Sequence, residues 1–301
     1  MEQFEEAKLF YEQVISLEPL GSSSIDLLKM KIMNAELLEE AKKSRLYFRP
    51  LLPGHHICLK TWNPLSKIVF EFAKRMRNVV YVIGDSESKE CVVIDPCWDV
   101  EGIIKEVCEI DGMKIVGILA THNHFDHVGG RPPAPFDSYG VNVGGVAKLM
   151  EKIPKIPVRI HKDDAASLIS EAFVPADRII TTSHGDITNV GRHQIQFIHT
   201  PGHTPGSQCI KFGPGMRRVL TGDTLFCGSC GRVDFPGGNI DELYKSLFQE
   251  INSWPEDMAI FPAHSYGGKL LTSLWYERLH GILRYKHKDE FAARLGILPK
   301  N

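Results

Sequence analysis

The chain has 301 residues, with 35 basic and 37 acidic side chains and therefore a formal net charge of −2. Charged residues make up 24% of the chain and hydrophobic residues 43%, a composition typical of globular proteins that excludes disorder as the dominant state. The near-neutral balance supplies no overall field for a phosphate backbone or an anionic lipid surface, so we expect neither nucleic acid nor membrane as a partner.

Two further features favour a cytoplasmic protein. No apolar run approaches the roughly 18 residues of a membrane span, and the acidic side chains of Glu2, Glu5 and Glu6 are unlike a secretory signal or a mitochondrial presequence. The seven cysteines are odd in number and scattered, which indicates reduced thiols. We therefore expect a cytoplasmic localisation.

The first 45 residues have the periodicity of two helices. The first helix ends at Pro19, and the second runs from Asp26 to Lys43. The apolar face of the second helix is predicted to contain Leu28, Ile32 and Ala35. This hairpin predicts an N-terminal helical extension over residues 1–53, in which residues 1–50 could contact a protein partner or a second copy of the chain.

Beyond residue 53 the pattern changes to short strands separated by amphipathic helices, which predicts an α/β layered domain over residues 54–301. The clearest helices are Val100 to Ile110 and Ile240 to Ile251. Residues 131–145 are rich in Pro and Gly and are predicted to form a surface loop. The predicted strands are Asn78 to Ile83, Cys91 to Asp95, Lys114 to Ala120, Val158 to His161, Gln194 to His199, Gln208 to Phe212, Arg218 to Thr221 and Met258 to Phe261.

One segment concentrates groups that bind metals. Directly after the strand that ends at Ala120, three imidazoles and a carboxylate fall within six positions, at His122, His124, Asp126 and His127. Their spacing is not helical, so an irregular turn must direct them. Imidazole and carboxylate together suit a borderline metal such as zinc, and the density of ligands favours a metal site over four unrelated structural residues.

Three later segments repeat this arrangement, since a strand delivers a His or Asp at its carboxyl end. These residues are His203, Asp223 and His264. Each alone is more often a turn residue, and it is their repetition in one order that indicates a shared site.

These seven residues resemble the metallo-β-lactamase superfamily, whose His-x-His-x-Asp-His motif is followed by a later His, a bridging Asp and a final His. The resemblance covers about residues 78 to 278 and implies a four-layer αββα sandwich. It also implies two divalent metal ions, zinc above all, with iron or manganese as alternatives. One metal would be held by His122, His124 and His203, the other by Asp126, His127 and His264, and Asp223 would bridge them.

Within the superfamily, the segment Gly222 to Gly238 and the Pro262-Ala-His264 motif are similar to the short form of the glyoxalase II, or hydroxyacylglutathione hydrolase, group. The implied activity is hydrolysis of S-acylglutathione thioesters by a metal-bridging hydroxide, with Asp126 and Asp223 as catalytic groups. The C-terminal helical domain of full-length glyoxalase II has no counterpart here. Arg232 could hold the glycyl carboxylate of a glutathione substrate or could pair with Asp234.

The same residues also resemble the persulfide dioxygenases, which share Cys230-Gly-Arg-x-Asp-Phe and Pro262-Ala-His264. In that group the positions matching His122, His203 and Asp223 hold a single iron. We favour the hydrolase and leave the dioxygenase open. Cys227 and Cys230 are predicted to pack within their loop. The remaining imidazoles, predicted at the surface or at strand ends, are His161, His184, His193 and His199, of which His199 could support a ligand.

Overall fold

The fold was obtained as a computed structural model that describes residues 23–59, 71–134, 137, 140 and 142–296. The predicted first helix, up to Pro19, lies outside the described residues. Among those residues no helix is both long enough and apolar enough to cross a bilayer.

Two six-stranded mixed sheets form the centre of the molecule. The first has the order β1-β2-β3-β4-β5-β6 and the second the order β12-β11-β10-β9-β8-β7. In the first sheet the strands are β1 (Leu46–Leu51), β2 (Val80–Asp85), β3 (Glu90–Ile94), β4 (Lys114–Leu119), β5 (Val158–His161) and β6 (Ile179–Thr182). In the second they are β7 (Ile187–Val190), β8 (His193–His199), β9 (Gln208–Phe212), β10 (Arg218–Leu220), β11 (Ala259–Phe261) and β12 (Thr272–Ser273).

Helices cover the outer face of each sheet, so the predicted αββα sandwich is confirmed. The helices are α1 (Ser23–Ser44), α2 (Val100–Ile104), α3 (Phe125–Val128), α4 (Val146–Lys152), α5 (Ala165–Ser170), α6 (Ile240–Lys245), α7 (Leu274–Leu279) and α8 (Lys288–Arg294). The two longer predicted helices continue beyond α2 and α6 as π-helical turns over Lys105–Ile110 and Ser246–Glu250. Helices α2, α4 and α5 pack on the first sheet, and α6, α7 and α8 pack on the second.

Alternation along the strands divides the core into three layers. In β2, Val80 and Val82 face the helices, whereas Tyr81 and Ile83 join the core between the sheets. In β9, Cys209 faces the helices and Ile210 faces the inner core. Because successive side chains of a strand point to opposite faces, one apolar run supplies two of the hydrophobic layers at once.

Helix α1 extends the predicted second helix and packs on the second sheet. Its buried apolar residues are Met33 and Leu37, which pack against Ala259 of β11. The predicted face was therefore wrong by about one residue, since Ile32 and Ala35 are only half-buried. Docking on β11 decides which apolar residues of this helix turn inward, and periodicity alone could not determine that face.

The extension predicted over residues 1–53 is not helical throughout. Its residues Leu46–Leu51 form β1, the edge strand of the first sheet, which pairs antiparallel with β2. The helical prediction for these residues is corrected, and the sandwich begins at Leu46. Whether a partner binds through residues 1–50 stays a prediction.

Candidate metal centre

The seven predicted ligands meet at one edge of the sandwich. His122 and His124 follow β4, and α3 carries Asp126 and His127. Each of the other three ligands follows a different strand of the second sheet: His203 comes after β8, Asp223 after β10 and His264 after β11. Both sheets therefore supply ligands to a single point, as the order of motifs in the sequence predicted.

The first cluster consists of His122, His124 and His203, whose ligand atoms all lie within 4.8 Å of one another. His203 Nε2 is 2.9 Å from His124 Nδ1. The three rings are nearly perpendicular in pairs, with interplanar angles of 80°, 77° and 84°. Imidazole lone pairs lie in the ring plane, so rings crossed in this way can aim three nitrogen atoms at one cation.

The second cluster consists of Asp126, His127 and His264. Asp126 Oδ2 is 3.6 Å from the Nε2 atoms of both His127 and His264. Those two Nε2 atoms are 3.2 Å apart. This is the second of the two ligand sets that the sequence indicated.

Asp223 connects the two clusters through its separate carboxylate oxygens. Its Oδ2 is 3.4 Å from His203 Nε2 in the first cluster. Its Oδ1 is 3.4 Å from His127 Nε2 and 3.3 Å from His264 Nε2 in the second cluster. One carboxylate that presents one oxygen to each group is the arrangement expected of a bridging ligand.

Three imidazoles outside α3, those of His122, His203 and His264, are each held from behind by a hydrogen bond to the other ring nitrogen. His203 Nδ1 donates to the carbonyl of Arg232 at 2.6 Å, and His264 Nδ1 donates to the carbonyl of Met76 at 2.6 Å. His122 Nδ1 lies 3.0 Å from Thr121 Oγ1. These bonds fix the tautomer that leaves Nε2 free to bind a cation.

A buried carboxylate, Asp95, holds the second cluster in the same way. Asp95 Oδ2 is 2.9 Å from His127 Nδ1 and also accepts the hydroxyl of Thr121 at 2.7 Å. Asn78 Nδ2 donates to Asp126 Oδ2 at 3.1 Å, and its own amide oxygen accepts Trp98 Nε1 at 3.0 Å. None of these supports was predicted, because Asp95 and Asn78 lie more than 25 positions before the ligands and carry no ligand spacing.

The residues fit a pair of cations. Among the described residues, the buried atoms His122 Nε2 and Asp223 Oδ1 have no hydrogen-bond partner. A buried polar atom without a partner costs free energy, and two such atoms within converging ligand sets are accounted for by metal ions. Five imidazoles and two carboxylates suit zinc, iron or manganese, so the clusters are compatible with a dinuclear metal site without selecting the metal.

The two clusters hold charge differently when no cation is present. Burial, together with the neighbouring imidazoles, holds the pKa of His122 well below its usual value and lowers that of His124 to about 4. Burial also opposes charge on His127, but Asp126, Asp223 and Asp95 outweigh it and raise its pKa to about 10. A cation that binds His122 and His124 therefore meets neutral imidazoles, whereas one that binds His127 must displace a proton.

Glycines allow the ligand loops to approach this closely. A Cβ on Gly231 would lie 2.0 Å from the carbonyl oxygen of Asp223 and 3.0 Å from His203 Nδ1. Gly202, directly before His203, has φ +140° and touches Leu243 of α6. A larger residue at position 231 would push the loops of Asp223 and His203 apart, and one at position 202 would push the His203 loop away from α6.

Arg232 pairs with Asp234, which is one of the two outcomes that the sequence left open. Arg232 Nε is 2.5 Å from Asp234 Oδ1, and a second contact joins the other guanidinium and carboxylate atoms. The guanidinium also lies over the ring of Phe235, 4.3 Å from its centroid. Phe235 in turn meets His124 edge-on at 5.6 Å. Arg232 thus borders the first cluster, and its role in substrate binding stays a prediction.

Tyr266 borders the second cluster and was missed by the sequence analysis. Its ring stacks on His264 at 4.9 Å between centroids, with 3° between the planes, and 41% of the residue is exposed. Phe226 packs edge-on against both rings. The signal for it in the sequence is its position two residues after the predicted ligand His264.

In a further group, the potential ligand atoms of His161, Asp163 and His199 lie within 4.8 Å of one another. The two rings, however, stack at 3.8 Å with only 9° between their planes. Parallel rings direct their lone pairs along separate planes, unlike the crossed rings of the first cluster. His199 Nε2 instead lies 2.8 Å from the carbonyl of Pro205, in the His203 loop.

Comparison with characterised proteins agrees with this geometry. Hydroxyacylglutathione hydrolase GloC of Haemophilus influenzae is 32% identical over 188 residues, which span 61% of this chain and 83% of that protein. The human mitochondrial persulfide dioxygenase ETHE1 is 29% identical over 223 residues, 72% of this chain and 76% of that protein. Relatives with these two activities match at similar identity.

Solved structures have the same architecture. ETHE1 from Myxococcus xanthus gives a TM-score of 0.60 at 26% identity and covers 75% of this chain and 89% of its own. TTHA1623, solved in a di-iron-bound form, gives a TM-score of 0.52 at 27% identity. The match covers 68% of this chain and 94% of that chain. The sequence profile of the metallo-beta-lactamase superfamily matches residues 74–133 and 143–264, a span that contains all seven residues of the two clusters. The chain therefore belongs to the metallo-beta-lactamase superfamily.

Proposed function

We propose that the protein is a dinuclear metal-dependent hydrolase of thioesters of the S-acylglutathione type. The observation that carries this proposal is the position of Asp223, whose two oxygens face different clusters at 3.3–3.4 Å. Such a carboxylate gives two cations a common ligand. The similarity to hydroxyacylglutathione hydrolase GloC supports the thioester as substrate.

The chemistry divides between the cations and the chain. When bound, two divalent cations would supply a nucleophilic water at neutral pH and polarise the substrate carbonyl. Asp126 would orient the attacking water through its carboxylate, while Asn78 and Trp98 hold that carboxylate in place. Asp95 would keep the His127 ring oriented by accepting a hydrogen bond from its Nδ1–H group.

The rim would bind the thiol carrier. The guanidinium of Arg232 and the ring of Phe235 border the first cluster, and Tyr266 borders the second. A glycyl carboxylate would have to replace Asp234 as the partner of Arg232. Both side chains of that pair are 61% exposed, and an exposed ion pair contributes only about 0–1 kcal/mol, so the exchange is inexpensive.

A single-iron persulfide dioxygenase is the second candidate, favoured by the similarity to ETHE1 in sequence and in structure. His122, His203 and Asp223 would supply its two imidazoles and one carboxylate. That reaction needs no cation in the second cluster, whereas the proposed hydrolysis uses both clusters.

The experiment measures two reactions on metal-replete protein: hydrolysis of S-lactoylglutathione and oxygen consumption with glutathione persulfide. We expect thioester hydrolysis, which His264→Ala abolishes and His184→Ala, at an exposed turn, leaves unchanged. Oxygen consumption without thioester cleavage, retained in His264→Ala, would transfer the assignment to the dioxygenase.

A further inference from the structure

A second buried carboxylate, Asp164, lies behind the first cluster. Asp164 is 1% exposed and sits at the end of β5, just before α5. Its Oδ2 accepts the hydroxyl of Thr204 at 2.7 Å and the backbone N–H of Asn123 at 3.2 Å. Its Oδ1 accepts the backbone N–H of Gly206 at 2.8 Å. One carboxylate therefore joins two loops that come from different sheets.

Both loops carry ligands of the first cluster next to the atoms that Asp164 holds. Asn123 lies between His122 and His124, and Thr204 directly follows His203. His124 Nδ1 and His203 Nε2, one from each loop, are 2.9 Å apart. Asp164 therefore links the two loops at residues adjacent to the ligands His122, His124 and His203.

Asp164 is packed closely against the backbone of Gly206. A Cβ on Gly206 would lie 2.5 Å from Asp164 Cγ and 2.7 Å from its Cβ. Ser207 Oγ, 2.8 Å from Thr204 Oγ1, also accepts the backbone N–H of Thr204 at 3.0 Å. The Thr204 hydroxyl is thus held in the direction of the carboxylate.

Asp164 also places an acidic side chain next to a cluster that has few of its own. That cluster consists of three imidazoles, and its one carboxylate, Asp223, is shared with the second cluster. The groups that donate to Asp164 are one hydroxyl and two backbone N–H groups, all of them uncharged. Asp95 has the corresponding place behind the second cluster.

From this geometry we propose that Asp164 is a positioning residue that joins the His124 and His203 loops and sets the metal affinity of the first cluster. The inference rests on the proposed dinuclear centre and does not depend on the reaction performed there. Residues that orient metal ligands from behind typically change metal affinity by about 10–100-fold when they are replaced.

The experiment measures metal binding without turnover. Metal-free protein carrying His264→Ala, which removes a ligand of the second cluster, is titrated with Zn²⁺ against a chelator so that the first cluster is observed alone. We expect Asp164→Asn in this background to weaken Zn²⁺ binding about 10–100-fold, because the amide places N–H groups against donors. The matched control Asp163→Asn, at a side chain that is 45% exposed, should leave the affinity unchanged.

A second pair of variants tests the same contact in case Asp164→Asn does not fold. Thr204→Val removes the hydroxyl that donates to Asp164, and Thr204→Ser restores it, so Zn²⁺ binding should weaken in the first and recover in the second. Equal affinity in Asp164→Asn and Asp163→Asn, or in the valine and serine variants, would overturn the inference. A protein that binds Zn²⁺ in this way but does not cleave thioesters would contradict the proposed function alone.

Discussion

Asp223 and Asp164 differ in what they touch, although both are buried carboxylates at the same edge of the sandwich. Asp223 faces the ligand atoms of both clusters, and Asp164 meets only hydrogen-bond donors of the loops behind the first cluster. Replacing Asp223 therefore removes a ligand, whereas replacing Asp164 changes the positions of ligands that remain.

Asp223→Ala is expected to abolish activity and to reduce the metal content of the purified protein while leaving the fold largely intact. The reason is that three imidazoles lose their common neighbour, whereas the strands on either side of the loop keep their pairing. Elemental analysis and circular dichroism measure the two effects. Asp177→Ala, on an exposed turn, is the control. A fully active variant would show that Asp223 does not bridge two cations.

The sequence predicted the ligands more completely than the residues that hold them. All seven ligands follow strand ends at recognisable spacings, and the structure brings them together. Asp95, Asn78 and Asp164 act through hydrogen bonds formed only in the folded chain, so no periodicity in the sequence marks them. The carbonyl groups of Arg232 and Met76 carry no sequence signal, because every residue has a carbonyl.

At the scale of elements, the sequence predicted the bounds of the interior apolar strands to within two residues. It did not predict the edge strands of either sheet. Val158–His161 and Gln208–Phe212 match their predicted bounds. Edge strands β6 and β7 have exposed positions and lack a continuous apolar run. The edge strand β1 contains Pro50, which argues against a central strand but is tolerated at an edge, where one side of the backbone needs no partner.

Helix α1 offers a direct test of how firmly an element outside the two-sheet core is attached. Leu37 is 4% exposed and packs toward Ala259, whereas the adjacent Leu38 is 58% exposed. Leu37→Ala is expected to lower the free energy of unfolding by about 2–5 kcal/mol because it opens a cavity. Leu38→Ala should change it by less than about 0.5 kcal/mol.

Urea denaturation of both leucine variants measures the difference. The backbone carbonyl of Leu37 is retained in the alanine variant, so the hydrogen bond that it accepts from Arg218 is not the quantity tested. Equal stability of the two variants would mean that α1 contributes little to the folded state.

For the whole molecule, the position of the candidate metal centre would make it a link between the two sheets. His122, His124, Asp126 and His127 come from the first sheet, and His203, Asp223 and His264 come from the second. A cation that binds ligands from both sheets stabilises only the state in which the sheets are packed together, since the unfolded chain holds no such site.

Chelation is therefore expected to lower the thermal unfolding temperature of the entire sandwich. Ligand linkage gives about 4 kcal/mol of stabilisation at a free metal concentration 1,000 times Kd, and this contribution is lost on chelation. Differential scanning calorimetry with and without a chelator measures the effect. His264→Ala should respond less than the unsubstituted protein, and an unfolding temperature independent of the chelator would contradict the cross-sheet centre.

The contact between α1 and β10 joins two segments that lie far apart in the sequence. Arg218 is almost completely buried, and its guanidinium donates to the carbonyl of Leu37 at 2.6 Å, with Glu40 at 3.4 Å. Without α1, that guanidinium would lose both partners and remain as an unpaired charge at the base of the second sheet. Removal of the helix would therefore leave the second sheet with a buried charge, and replacing Arg218 by a neutral residue would remove that cost.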